Sequence, residues 1–288
     1  MKAKILLIIP FFILTASFKA ENKLQKADSN NLNISFLLDL SDRIDPKKNT
    51  NAAMEYYQRD LQYIKSVQKA FTNHIKQKRI MQLNDQMQVF FDPEPKDPLV
   101  NKLSQQLKVS FNKLSSKDEI SNIDKTFSEV PLKIYQSAIK DGHFIGSDIW
   151  RFFKNKVQDY CIKDHHRNIL VIITDGYMYH KESKFMENNK SSYLSPEFIQ
   201  AKKLTTANYK TLFEKNKLGF IPAIKGLQNL EVIVLGINPA KKNAYEEDVI
   251  NLYWTDWFKA MNVKKFYIKP ASLPTDLDPI IQRIISEK

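Results

Sequence analysis

Two apolar runs that each stop at an acid constrain this chain most. Residues 34–43 read ISFLLDLSDR, with the run breaking off at Asp39, and residues 169–176 read ILVIITDG, breaking off at Asp175. Short runs of this kind, without polar alternation, read as strands buried on both faces, as in a parallel sheet. Parallel neighbours need crossover connections, and both runs deliver their acid to the carboxyl edge, where open α/β sheets bind ligands.

The remaining pattern supplies those crossovers. Met54, Tyr57, Leu61, Ile64, Val67, Phe71 and Ile75 recur at spacings of three and four, which predicts a long amphipathic helix ending before Met81. Residues 86–91 alternate as a strand and are cut off by Asp92-Pro93 and Pro95. Leu107, Val109 and Phe111 alternate with Lys108, Ser110 and Asn112, the period of a half-exposed strand, and are placed as an antiparallel edge. A short helix is expected over 132–139 behind Pro131. Gly146-Ser147-Asp148 then opens a helix carrying Phe152, Phe153, Val157 and Tyr160, with Ser147 or Asp148 at its N-cap.

Residues 177–195 form a long polar loop leaving the same sheet edge as Asp175. It is read as a recognition surface with too few apolar residues to help build the core. A helix from Pro196 to about Asn216, a third strongly apolar strand over 230–237, and a helix over 246–261 with Trp254 and Trp257 follow. A short strand over 265–268 and a closing helix over 279–285 complete the chain. The expected fold class is α/β, a three-layer doubly wound and mostly parallel sheet with one antiparallel edge strand, in one domain over 32–288.

The amino terminus has its own pattern. Lys2 and Lys4 precede the apolar residues 5–14, and the small or polar Thr15, Ala16 and Ser17 follow. This predicts a secretory signal peptide over 1–20 and an exposed polar leader over 21–31. The apolar run is short for a membrane span and contains Pro10, so no stable span is expected after cleavage, and the protein is expected in a bacterial periplasm or at the cell surface. Cys161 is the only cysteine, which excludes an intramolecular disulfide and a cysteine-built metal site. It reads as a buried, inert thiol beside Phe153, Val157 and Tyr160.

With 44 Lys and Arg against 32 Asp and Glu, the formal charge is +12, and loss of Lys2, Lys4 and Lys19 with the signal leaves 12 − 3 = +9. The lysines are scattered and accompany no nucleic-acid-binding motif, which disfavours nucleic acid as a partner. His143 is a candidate ligand or acid/base group. Asp164-His165-His166 precede a strand, which puts them in a solvated turn at the end of the sheet away from Asp39 and Asp175.

Taken together, Asp39-Leu40-Ser41-Asp42-Arg43, Gly146-Ser147-Asp148-Ile149 and Thr174-Asp175-Gly176 resemble the von Willebrand factor type A-like fold and its metal-ion-dependent adhesion site. The resemblance covers about residues 32–286. It implies a divalent cation, Mg²⁺ or another, held by Asp39, Ser41, Ser147 and Asp175, with Asp148 beside them. Hard cations of this kind take oxygen ligands and keep several waters, so a few hydroxyls and carboxylates on three loops suffice. Ser147 stands where the family has Thr. Arg43 stands where it has a second serine, and a guanidinium is always charged and only donates hydrogen bonds. The expectation is that Arg43 folds inward and pairs with Asp39 and Asp175 in the cation's place, leaving the site weakly binding or metal-free. The function implied is an exported module presenting this adhesion-like site to a protein partner in the envelope or outside the cell. The competing reading is a metal-dependent hydrolase of a phosphorylated or acidic substrate with Asp39 as nucleophile or ligand. It is disfavoured by the absence of a second Asp at position 41 and of a glycine-rich phosphate loop.

Overall fold

The computed structural model describes residues 30–144, 146–240 and 242–287; the expected signal peptide and nearly all of the leader lie outside them. Eight strands, β1 (Leu32–Leu38), β2 (Asn84–Phe90), β3 (Val109–Asn112), β4 (Arg167–Ile173), β5 (Met186–Glu187), β6 (Lys190–Ser191), β7 (Leu230–Ile237) and β8 (Lys265–Pro270), are found among the described residues. Six of them form one sheet in the order β3-β2-β1-β4-β7-β8, parallel throughout except for β3, which runs antiparallel to β2 at the edge. The chain leaves β1 toward β2 and leaves β4 toward β7, so the connections diverge from the β1/β4 boundary. That boundary is the topological switch point where sheets of this kind bind ligands.

The strands alternate between two cores. Ile34, Phe36, Ile169, Val171, Ile173, Ile233 and Leu235 pack into one, and Leu37, Leu170, Ile172, Val232 and Val234 into the other. On the first face lie α1 (Tyr56–Lys76), α2 (Pro98–Gln105), α3 (Lys117–Asp141) and α9 (Pro274–Ser286). The second face is covered by α4 (Ile149–Asn155), α5 (Val157–Cys161), α6 (Pro196–Ala201), α7 (Tyr209–Lys215) and α8 (Glu246–Ala260). The protein is therefore α/β with a mostly parallel sheet and one antiparallel pair, an arrangement compatible with a three-layer fold.

Several helices differ from their sequence expectation. The short helix placed over 132–139 is the end of α3, which runs through Pro131 and starts at a capping box of Ser116 and Glu119. Proline inside a helix costs about 3 kcal/mol. Here the buried stripe Ile123, Phe127, Val130 and Ile134 offsets that cost. The helix expected from Ile149 through Tyr160 breaks at Lys156, whose ammonium lies 3.4 Å from Asp92, and Tyr160 is exposed rather than core. The helix expected from Pro196 to Asn216 is interrupted between α6 and α7, where Lys203 takes a left-handed backbone and Leu204 turns into the core. Helix α2, which the sequence pattern did not single out, begins where Asp97 accepts a hydrogen bond from the backbone N–H of Leu99 behind Pro98.

The loop 177–195 is also more than a polar excursion. Met178 and Leu194 pair through their backbones and are both buried in the second core, so the ends of the loop are structural. Its middle carries the β5/β6 hairpin and the exposed Phe185 and Met186, of which Phe185 still packs edge-on against Trp150 of the second core at 5.0 Å. Cys161 is fully buried, and burial, opposed by a hydrogen bond with Ser35, pushes its thiol up to about 12, as expected of an inert side chain.

At Gly236 the strand β7 bulges with φ +100°, and a Cβ would sit 2.9 Å from the backbone oxygen of Thr174. Backbone cannot yield as a side chain can. Gly236→Ala should therefore lower stability by about 1–3 kcal/mol in urea unfolding. Gly142→Ala, also at positive φ but with open space around its Cβ, should cost only about 1 kcal/mol.

Candidate functional site

Asp39 and Asp175 leave the carboxyl ends of β1 and β4, the two strands at the switch point. Leu38 pairs with Ile173, so Asp39 falls opposite Thr174, and Asp175 stands one residue further on. The backbone N–H of Asp39 still donates to the carbonyl of Ile173 at 3.0 Å, which carries the ladder up to the acid. One carboxylate oxygen of Asp39 accepts from the Ser41 backbone N–H at 2.9 Å, and the other accepts from the Thr174 hydroxyl at 2.8 Å. Asp39 is buried.

Arg43 sits in a short 3₁₀ turn, Asp42–Ile44, that folds it back under the loop. Its guanidinium is buried. Nε lies 3.6 Å from Asp39, and Nη2 lies 2.5 Å from Asp60 and donates to the carbonyl of Ile173 at 3.3 Å. The inward position matches the sequence expectation, but the closest partner does not. Asp60 on α1 takes the place expected of Asp175, and Tyr135 on α3 donates to the same Asp60 oxygen at 3.0 Å. Burial disfavours the charge on Arg43, but Asp60 and Asp39 outweigh it and raise the guanidinium above its ordinary value. Burial also pushes Asp60 upward while Arg43 pulls it down. The guanidinium does not give up its proton, and burial outweighs its pull, so the Asp60 carboxyl is held above its ordinary value.

Asp175 is part-buried, its Oδ1 accepts from the backbone N–H of Tyr177 at 3.1 Å, and burial followed by repulsion from Asp39 pushes it up to about 7. The charge count explains that shift. One guanidinium faces Asp39, Asp60 and Asp175, so full ionisation would leave two negative charges uncompensated in a low-dielectric pocket.

Ser41 is part-buried and its hydroxyl does not cap the turn it precedes. Ser147 and Asp148 belong to a second network. Ser147 bridges to Tyr179 of the loop, and Asp148 donates its N–H to the Asp92 carbonyl at 2.7 Å. The Asp148 carboxylate caps α4 at Arg151, accepts from the Ser183 hydroxyl and lies 3.4 Å from His180 Nδ1. No hydrogen bond or ion pair among the described residues joins Ser147 to Asp39, Ser41 or Asp175. The structure thus brings Asp39, Ser41, Arg43 and Asp175 to one edge, and ties Ser147 and Asp148 to the loop beside it. His143 is exposed and reaches only Asp141 among the described residues, and His166 bonds the Asp164 and Asn84 carbonyls at the amino end of the sheet, in keeping with a turn there.

Sequence reading missed Asp60, Tyr135 and Thr174. Asp60 did carry a signal, because it lies in register with Ile64, Val67 and Phe71 on the buried stripe of α1, where an acid needs a partner.

A resident divalent cation does not fit this arrangement. A divalent ion within reach of Asp39 would meet the Arg43 guanidinium, a repulsion of about 8 kcal/mol at about 4 Å with an effective dielectric near 20.

Comparison with protein-family models, with curated proteins and with solved structures finds no match.

Asp175 has a higher value folded (about 7) than its ordinary 3.8, so the native state holds its proton more tightly. Its contribution to stability is present at acid pH and lost as pH rises across that window. In urea unfolding, the stability of the native protein relative to Asp175→Asn, which keeps an acceptor for Tyr177, should fall between about pH 4 and about pH 7 and be flat above.

Proposed function

We propose that the chain is an exported binding module of the von Willebrand factor type A-like class, in which the Arg43 guanidinium stands in the place of the adhesion-site cation. The observation that carries this reading is the buried Arg43, held between Asp60 and Asp39 at the ends of the central strands. The strand order and the position of Asp39 and Asp175 at the switch point support the fold class, and the charged and apolar pattern of residues 1–20 supports export. With no open coordination position to receive a partner's carboxylate, the edge offers Asp175, beside the exposed Asp42, which Lys48 already pairs at 3.2 Å. A protein partner with a basic group at the contact suits it best.

Calorimetry with Mg²⁺ or Mn²⁺ should show little binding to the native protein. Arg43→Ser alone strands Asp60 in the core and should cost about 3–5 kcal/mol. The double variant Arg43→Ser/Asp60→Asn should restore stability and bind the metal, and adding Asp39→Ala should abolish that binding. Tight stoichiometric Mg²⁺ binding by the native protein would overturn the reading.

The exposed part of the loop provides the second test. Met186→Ser removes exposed apolar surface without touching Met178, Leu194 or the contact of Phe185 with Trp150. Capture of the partner from an envelope fraction should be lost while the unfolding free energy stays within about 0.5 kcal/mol of native. Unchanged capture would place the contact elsewhere.

A further inference from the structure

Beside this edge, between the ends of β1 and β2 and the helices α2 and α3, the surface opens into a cleft of about 590 Å³. Its depth is apolar, with Leu38, Phe91 and Val100 all buried, and Phe144 forms part of the wall. That volume falls in the range of small-molecule sites and exceeds what one side chain of a partner would fill.

The polar groups of the cleft are unbalanced. Asp97 and Asp141 both line it, and among the described residues neither has a lysine or arginine within 4 Å. Asp97 receives only neutral donors, the Ser137 hydroxyl and the Leu99 N–H, which hold its carboxyl below the usual range, and Asp141 reaches only His143. The third acid, Asp92, is already engaged by Arg151 and Lys156. Lys96 lines the cleft as well but pairs with neither Asp97 nor Asp141. In a chain with a large cationic excess, two carboxylates that line an apolar cleft and face no lysine or arginine among the described residues are unusual. Phe144 already attracts one ammonium, with Lys48 Nζ 5.3 Å from its ring centroid, so the wall presents a π face to positive charge.

We propose that this cleft is a binding site for a small organic cation, an amine on an apolar or aromatic body, with the body against Leu38, Phe91 and Val100 and the charge toward Asp97 and Asp141. The site is independent of the reading of Arg43.

The test uses the full chain and three probes of one shape, phenylbutylamine, phenylbutanol and phenylbutyrate, followed by methyl-detected NMR. The amine should shift the Leu38 and Val100 methyls saturably and bind about fivefold more tightly than the alcohol, the reach of one exposed ion pair. The carboxylate should bind more weakly than the alcohol. Asp97→Asn/Asp141→Asn should abolish the preference for the amine while leaving the alcohol's affinity unchanged. Asn at 97 still caps α2 and position 141 is exposed, so the fold should be kept, as circular dichroism would verify. Failure of the amine to move these methyls, equal binding of the three probes, or an amine preference that survives the double variant would each overturn the proposal.

Discussion

The centre of this molecule depends on one buried ion pair. Arg43 and Asp60 come from the loop after β1 and from α1, and Tyr135 adds a contact from α3, so three elements meet over the end of the central strand. A buried pair gives little net stability, because desolvation consumes most of the attraction, but it is intolerant of losing one member. It therefore acts on geometry. The loop of Asp39 is held in one conformation, and the neighbouring acid, Asp175, must hold a proton or a partner because the guanidinium cannot neutralise three carboxylates.

Around the pair, the carboxyl edge divides into two hydrogen-bonded systems. One contains Asp39, Arg43, Asp60 and Thr174, and the other joins Asp148, Arg151, Asp92 and the loop residues His180 and Ser183. The second system ties α4 to the start of the loop after β4. Gly146 lets them approach, since a Cβ there would sit 2.7 Å from the backbone oxygen of Tyr179. Asp175 lies at the end of the first system, next to where the loop departs.

The strands were legible because burial on both faces leaves an unbroken apolar run, and β7 falls on residues 230–237 as read from the sequence. The antiparallel edge β3 was legible for the opposite reason, since one face meets solvent and the sequence alternates. Helix boundaries were less so. Lys156 and Lys203 each break a periodic pattern through a single backbone conformation that composition does not encode, and the capping box at Ser116 starts α3 well before Pro131, where a proline ordinarily marks a helix start. At the site, Asp39, Asp175 and Arg43 could be found because they interrupt or terminate strong patterns. The pairing of Arg43 with Asp60 could not, because it depends on how α1 packs over the strand end, a tertiary fact that local spacing does not carry.

Cys161, at the end of α5 and buried against the sheet beside Ser35, has a further consequence. A lone, enclosed, protonated thiol makes the fold indifferent to the redox poise of its compartment, since there is no bridge to form and none to break. It also makes the residue a native reporter. A thiol reagent reaches it only when α5 lifts from β1 and β4, so its labelling rate measures the opening of that layer without any introduced probe.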